Sequence, residues 1–124
     1  MPRLVYDPNK GLIEQTGDGI DFSEGDLVLS SLRYTPVQIS GSFSLKDHHV
    51  VLCDAVSGSM TISLPDARVA ESRTYLLKKI DATANWIHLQ PTSAQLIDGD
   101  SVKSTNMQYA AIRILAARGN WYII

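Results

Sequence analysis

The stretch 58–80, GSMTISLPDARVAESRTYLLKKI, decides the fold class of this chain. In its first part, 60–64, apolar residues alternate with hydroxyl residues, which is the period-two pattern of a half-buried strand. Pro65 lacks a backbone donor and has a fixed φ, so we expect the strand to end before it. A second strand is predicted over 74–80. The intervening 66–71 has the length of one helical turn.

Short strands continue through the rest of the chain. A strand interrupted by Pro36 is predicted over 32–39, and eight more follow, separated by turn signals such as Asp98-Gly-Asp100. The alanine-rich segment 109–117 also suits a helix by propensity, but its alternation and the following Gly119 favour a strand. We therefore predict an all-β fold, a short-stranded antiparallel sandwich or barrel-like domain. The eight strands are predicted at 43–46, 49–54, 60–64, 74–80, 86–90, 101–104, 107–116 and 120–124.

Bulk composition excludes several classes of protein. The chain has 124 residues, 44% of them hydrophobic and 19% charged, with a net charge of −2. This length fits one domain, and the absence of clustered cations argues against nucleic acid as a partner. The apolar runs are only a few residues long, too short for a membrane span. The N-terminus lacks the layout of a signal peptide, so we expect synthesis in the cytoplasm without export.

Residues 1–40 differ from residues 41–124 in charge balance and in the spacing of their turn signals. The first segment has three Lys or Arg against six Asp or Glu, a balance of −3, whereas the second has eight against seven, a balance of +1. Turn signals are closely spaced in 1–40, with very short apolar pieces between them. Such a segment buries too little apolar area to offset its backbone entropy alone. We predict an extended arm over 1–40 that orders on another surface, and a β-rich domain over 41–124.

Candidate catalytic and metal-binding residues are sparse. The single cysteine, Cys53, excludes an intramolecular disulfide and is predicted to be a buried, inert thiol. No oxyanion signature accompanies it. His48 and His49 are adjacent and would face opposite sides of a strand, a poor geometry for one metal ion, and His88 stands apart. We expect no enzymatic activity, no metal and no cofactor.

Three further groups have structural roles that compete with functional ones. The acids of 98–100 do not follow the spacing of a calcium loop and are expected to form a turn. Of Lys78 and Lys79, one should face solvent and the other should snorkel to the surface or pair with an acid. Trp86 and Trp121 could form a sugar-binding platform, although packing in a core is the more common use of large aromatic side chains.

The order of these motifs resembles a module that recurs in tailed-bacteriophage virion proteins, including tail fibres, spikes and small capsid-surface proteins. The resemblance covers residues from about 45 to the end. Two features depart from that pattern: Ser72-Arg73, where a Gly often precedes the Thr-Tyr strand, and Gln90-Pro-Thr-Ser, where the family loop is richer in Gly. The motifs that carry the resemblance are Val51-Leu-Cys-Asp54, Gly58-Ser-Met-Thr-Ile-Ser-Leu-Pro-Asp66, Tyr75-Leu-Leu-Lys-Lys-Ile-Asp81, Ala84-Asn85, Ile97-Asp-Gly99 and Gly119-Asn-Trp-Tyr122.

The resemblance implies a structural β-domain that assembles as a trimer around a threefold axis, with no catalytic residues. The short chain with its own Met1, the lack of a repetitive shaft and the acidic arm favour a capsid decoration (cement) protein on the virion surface. Its partners would be two further copies of itself and the major capsid protein. A tail-fibre or spike tip, or an adaptor with a receptor-binding role, is the first alternative. A carbohydrate-binding domain for a host-surface glycan is the second.

These expectations assign two sets of residues. The first set is apolar, lies in the arm and would dock on the capsid: Leu4, Tyr6, Leu12, Ile13, Ile20, Phe22, Leu27 and Leu29. The second set is assigned to the trimer contact or the core: Ile62, Leu64, Tyr75, Leu77, Ile80, Ile97, Trp121 and Ile123.

Overall fold

The computed structural model describes residues 4–7, 11–14 and 24–124, and every regular element among them is a β-strand. The chain divides into two compact units, Met1–Leu32 and Arg33–Ile124. The strands are β1 Leu4–Asp7, β2 Gly11–Glu14, β3 Val37–Ile39, β4 Phe43–Ser44, β5 Val50–Cys53, β6 Met60–Ser63, β7 Thr74–Lys79, β8 Ile87–Gln90, β9 Lys103–Thr105, β10 Ala111–Ala117 and β11 Asn120–Ile123.

The first unit contains a two-stranded antiparallel hairpin. In it β1 pairs with β2, with Leu4 opposite Glu14 and Asp7 opposite Gly11. Residues 24–32 belong to no strand and are exposed. The all-β prediction therefore holds for the described part of this segment as well.

The second unit is built from two mixed sheets. The five-stranded sheet has the order β11-β10-β7-β5-β3, and the four-stranded sheet has the order β4-β6-β8-β9. From β3 to β8 the chain enters the two sheets alternately, which makes three successive coils. Each strand lies parallel to the strand one coil earlier, so that Val51 is paired with Val37 on one side and with Leu77 on the other. The four-stranded sheet repeats this arrangement, with β6 parallel to both β4 and β8.

The prediction of antiparallel pairing is wrong for β3 to β8, and the sheets do not close into a barrel. Alternation of apolar and polar residues is the same in parallel and antiparallel strands, so it does not report strand direction. Parallel neighbours require a crossover connection of about a dozen residues or more. Here each crossover contains a strand of the opposite sheet, which makes the sequence read like a series of hairpins.

Strand positions, in contrast, agree with the sequence. Each of the eight strands predicted from residue 43 onward overlaps one of β4 to β11, and 109–117 forms a strand rather than a helix. Strand β10 begins at Ala111, later than predicted, because Tyr109 has a φ of 66° and interrupts the extended backbone. The Tyr109 amide donates to the Lys79 carbonyl at 2.7 Å, which holds this turn against β7.

Buried side chains from both sheets form one core between them. Trp121 is its largest member and is fully buried, with its ring centroid 5.7 Å from that of Tyr75. The buried Trp121 Nε1 has no hydrogen-bond partner among the described residues, so this side chain stabilises the core by packing. The members are Ile39, Leu45, Val51, Cys53, Ala55, Met60, Ile62, Leu64, Ala67, Ala70, Tyr75, Leu77, Ile87, Leu89, Ile97, Ile114, Ala116 and Trp121.

The two tryptophans allow a matched test of this core. Trp121 is 0% exposed and Trp86 is 43% exposed. We expect Trp121→Ala to lower the free energy of unfolding by about 3–5 kcal/mol, because it removes a buried aromatic side chain and leaves a cavity. Trp86→Ala should cost less than about 1 kcal/mol. Urea denaturation of both variants measures the difference, and equal losses would contradict this description of the core.

Candidate functional site

The single cysteine is part of the core. Cys53 is fully buried on the inner face of β5, and burial raises the pKa of its thiol to about 11. Only the thiolate is a nucleophile, so a thiol held protonated in this way is inert at neutral pH. The predicted burial of Cys53 is confirmed.

The three histidines have separate aromatic or polar partners. The ring of His48 meets that of Phe43 edge-on, with the ring centroids 5.1 Å apart, and the ring of His49 stacks on that of Tyr34, with the centroids 4.1 Å apart. Nδ1 of His88 lies 2.6 Å from Oγ of Ser104. Within residues 24–124 and the two N-terminal strands, no group of three or more His, Cys, Asp or Glu side chains is arranged to hold a metal ion.

No helix among the described residues has the length and apolarity needed to span a membrane.

The Lys-Lys-Ile-Asp motif forms the most heavily hydrogen-bonded cluster of the unit. Lys79 lies on the inner face of β7 with its side chain fully buried, and its Nζ donates to Asp81 Oδ2 at 2.8 Å. Two carbonyl oxygens accept its remaining hydrogens, that of Asp81 at 3.0 Å and that of Thr83 at 2.7 Å. Lys78 faces outward above the ring of Tyr109. Of the two outcomes expected for the inward lysine, snorkelling or pairing with an acid, the structure shows pairing.

Asp81 connects this cluster to the preceding coil. Its Oδ1 accepts from the Ala55 amide at 2.7 Å, and its Oδ2 accepts from both the amide and the hydroxyl of Thr83. Asn85 Nδ2 donates to the Ala55 carbonyl at 2.7 Å. The loop after β5 is thereby fixed to the loop after β7. Burial works to raise the pKa of the Asp81 carboxyl, but the hydrogen bonds from Lys79, Thr83 and Ala55 outweigh it, and the pKa lies well below its usual range.

The last two motifs of the resemblance contact each other. The Trp121 amide donates to the Leu96 carbonyl at 2.9 Å, and the Asp98 amide donates to the Trp121 carbonyl at 3.0 Å. Asp98 and Gly99 have φ values of 48° and 84°, and Ile97 and Asp100 bond to each other across the turn. The acids of 98–100 therefore form a turn, as predicted.

The Asp that ends the Thr-Ile-Ser-Leu-Pro-Asp motif has a local structural role. Asp66 follows Pro65 and accepts hydrogen bonds from Arg68 and from Gln95 Nε2, the latter at 2.7 Å. Hydrogen bonds from Arg68 and then Gln95 hold the pKa of the Asp66 carboxyl below its usual range. The amide of Ala70 donates to the Asp66 carbonyl at 3.0 Å, so 66–70 closes as a single turn.

Ser72 occupies a left-handed backbone position. Its φ is 69°, and its amide donates to the Ala116 carbonyl at 2.8 Å, which fixes the entry into β7. Glycine adopts this conformation without steric cost, whereas other residues do not. The departure of this chain from the family pattern thus lies at a position where the backbone favours glycine.

The residues predicted to dock on a capsid lie in the two N-terminal strands, in segment 24–32 and outside the described residues. Leu27 and Leu29 are exposed and lie in segment 24–32, which belongs to no strand. Ile20 and Phe22 lie outside the described residues. Leu4 and Tyr6 belong to β1, and Leu12 and Ile13 belong to β2.

The residues predicted for the trimer contact or the core are mostly internal to one copy. Ile80 is half-buried at the end of β7, and Ile123 is 41% exposed near the end of β11. The remaining six are buried in the core between the sheets of one chain: Ile62, Leu64, Tyr75, Leu77, Ile97 and Trp121.

The outer faces of the two sheets differ in chemistry. On the outer face of the five-stranded sheet, apolar residues alternate with the polar residues Gln38, Thr74, Lys78 and Arg113. The apolar outer face is defined by Val50, Leu52, Leu76, Leu115 and Tyr122. The four-stranded sheet has a polar outer face, defined by Thr61, Ser63, His88, Gln90 and Ser104.

Sequence reasoning missed the residues that complete these clusters. Gln95 is buried, and its Oε1 accepts from the Ala67 amide at 2.9 Å. Thr83 supplies both a donor and an acceptor to the Lys79 cluster. Neither residue has a distinctive spacing, because their partners are 28 positions away for Gln95 and in a loop for Thr83. The apolar outer face did have a signal, since β5, β7 and β10 each have apolar residues at consecutive positions.

Comparison of the sequence with protein-family models and with curated proteins finds no match in either.

The buried ion pair makes a prediction about stability. We expect Lys79→Met to lower the free energy of unfolding by about 3–5 kcal/mol, because Asp81 then remains buried without its charged partner. The double variant Lys79→Met, Asp81→Asn should lose less than the sum of the two single variants. Lys78→Met, on the outward neighbour, is the matched control and should change stability by less than about 0.5 kcal/mol.

The same pair has a pH signature. Because the pKa of Asp81 is depressed when folded, its contribution is present above the ordinary value of 3.8 and is lost as pH falls below it. In urea denaturation between pH 3 and pH 7, the free energy of unfolding should fall less steeply with decreasing pH in Asp81→Asn than in the natural chain. The pairing would be ruled out by two results together: the effects of Lys79→Met and Asp81→Asn add up in the double variant, and the pH dependence of the free energy of unfolding is unchanged in Asp81→Asn.

Ser72 provides a second stability test. We expect Ser72→Gly to raise the free energy of unfolding by about 0.5–1 kcal/mol, because relief of the left-handed strain exceeds the added chain entropy. The control is Ser63→Gly in β6, where the backbone is extended and glycine should cost about 0.5–1 kcal/mol. Thermal unfolding of both variants measures the signs, and destabilisation by Ser72→Gly would refute the conformational argument.

Proposed function

We propose that this protein is a structural component of a tailed-phage virion: a homotrimeric capsid decoration protein that binds the major capsid protein and stabilises the shell. One observation carries the proposal: the motifs on which the resemblance rests make structural contacts within the domain. Residues quoted for the resemblance connect the coils to each other and hold the chain end. Such use suits a module whose role is mechanical.

The motif contacts support this step by step. Asp81 and Asn85 tie the loop after β7 to Ala55 in the loop after β5. Trp121 fills the core and is bonded to the 96–98 segment. Ser72 has a left-handed backbone and belongs to the Ser72-Arg73 pair, where a Gly often precedes the strand in the family pattern. A domain fixed at so many loops resists local opening, which is what a shell-bracing protein requires.

The apolar outer face supports self-association. Partly exposed apolar residues on several neighbouring strands are typical of a protein interaction surface. Leu52, Leu76 and Leu115 lie on three neighbouring strands of this face, and Tyr122 extends it onto β11. Closed cyclic symmetry covers such a face in every copy without leaving an open end. We infer that the copies of the trimer meet through the five-stranded sheet.

The N-terminal segment supports docking on a second protein. Residues 1–40 have a charge balance of −3, and Leu27 and Leu29 are exposed in a segment that belongs to no strand. An extended, apolar-dotted segment gains order when it lies on another surface. In the proposed mechanism, each trimer contacts several capsomers through its three arms and opposes the outward pressure of packaged DNA.

A tail-fibre or spike tip, or a tail adaptor, is the alternative. The resemblance covers tail proteins as well as capsid-surface proteins, and both placements use the same trimeric module. Cryo-electron microscopy of whole particles separates them: density at capsid threefold or quasi-threefold positions supports decoration, and density restricted to the tail decides for the alternative.

The trimer contact can be tested with two glutamate substitutions on opposite sheets. Light scattering of the full chain should give a mass three times that of one chain. Leu76→Glu should reduce it to the mass of a monomer, because three buried carboxylates would meet at the contact. The control Ser63→Glu, on the exposed polar outer face, should remain trimeric.

Particle stability then tests the function itself. Virions assembled without this protein should release DNA at a lower temperature, and added wild-type protein should restore stability while Leu76→Glu should not. A monomeric natural chain, or particles of unchanged stability, would overturn the proposal.

A further inference from the structure

An aromatic and polar cluster occupies the outer side of the four-stranded sheet. Trp86 immediately precedes β8 and is 43% exposed, and His88 follows two positions later on the same side of the strand. The two rings are nearly parallel, with an interplanar angle of 12° and centroids 6.2 Å apart. They form a partly exposed aromatic shelf on a surface that is otherwise hydrophilic.

The shelf is held by hydrogen bonds on both sides. The Trp86 amide donates to Ser59 Oγ at 2.8 Å, and the Trp86 carbonyl accepts from the Met60 amide at 2.9 Å. The His88 ring is oriented by the 2.6 Å contact of Nδ1 with Ser104 Oγ. A preformed surface of this kind loses little conformational entropy when a ligand binds.

Neutral polar side chains continue the shelf across three strands. His88 is in register with Thr61 on β6 and with Ser104 on β9, and Ser63 is in register with Gln90 in the next row. His88 Nε2 has no hydrogen-bond partner in the described part of the chain. The row offers hydroxyl, imidazole and amide groups, which both donate and accept hydrogen bonds. It contains no lysine, arginine or carboxylate.

We propose that Trp86, His88, Thr61 and Ser104 form a binding site for a neutral pyranose ring of a glycan. The apolar C–H face of the sugar lies on the Trp86 indole, and its hydroxyls exchange hydrogen bonds with His88 Nε2, Thr61 Oγ1 and Ser104 Oγ. An aromatic surface combined with a few placed polar groups is the composition of a small-molecule site. The absence of a cation in the row selects neutral sugars over sialic or uronic acids.

The exposure of Trp86 is not accounted for by the proposed trimer contact. Trp86 lies on the side of the polar outer face, whereas the proposed trimer contact uses the opposite sheet. The exposed Tyr109, in contrast, has the Lys78 ammonium 5.8 Å from its ring centroid. The glycan site does not rest on the decoration function and can stand if that function fails.

The test uses the full chain on an array of neutral oligosaccharides and their sialylated counterparts. We expect binding to one or more neutral glycans and none to the sialylated forms. The glycan with the strongest signal is then titrated while acrylamide quenching of tryptophan fluorescence is followed. Trp86 and Trp121 are the only tryptophans and Trp121 is 0% exposed, so quenching reports Trp86. Bound glycan should protect it.

Substitutions at the shelf test whether its side chains hold the sugar. Trp86→Ala should weaken binding at least tenfold, which corresponds to about 1.4 kcal/mol, while Tyr109→Ala should bind as the natural chain does. Ser104→Ala, which frees the His88 ring, is the second variant if Trp86→Ala fails to fold, and it should weaken binding severalfold. No neutral glycan bound, unchanged binding in both variants, or a change of oligomer mass in Trp86→Ala would overturn the proposal.

Discussion

The buried pair of Lys79 and Asp81 is the interaction on which the second unit depends. An ammonium group without solvent is stable only when each of its hydrogens has an acceptor, and three oxygens of Asp81 and Thr83 meet that condition. The carboxylate simultaneously holds the Ala55 amide. One charged pair thus satisfies the loop after β7 and fixes it to the coil before it.

The loops that connect the parallel strands depend on polar contacts of this kind. Parallel pairing leaves loops at each end of a coil, and their backbone groups need partners where they are buried. Asp81, Thr83 and Asn85 provide those partners at one end. Gln95 and Asp66 do so elsewhere, with the Ala67 amide and the Arg68 amide as donors. The polar motifs of the sequence therefore hold neighbouring loops together by hydrogen bonds, and the apolar residues between them fill the core.

The two outer faces divide the remaining surface by chemistry. Leu76 and Leu115 make the five-stranded sheet suited to a protein partner, and we assign self-association to it. Thr61, His88 and Ser104 make the four-stranded sheet suited to solvent and to small polar ligands. The proposed functions use different sheets, so a trimer built through one leaves the other accessible. A decoration protein with a glycan site would bind both a shell beneath it and a surface outside it.

The sequence by itself determined the strands and many of the buried residues, because alternation with period two depends only on local geometry. It placed Cys53 in the interior and identified the turn at 98–100. It also indicated that one of two adjacent lysines would either snorkel or pair with an acid. Strand direction, the partner of Lys79 and the exposure of Trp86 against the burial of Trp121 were decided by tertiary structure alone. Each depends on which distant segment lies opposite, and alternation along one strand is identical whichever neighbour it meets.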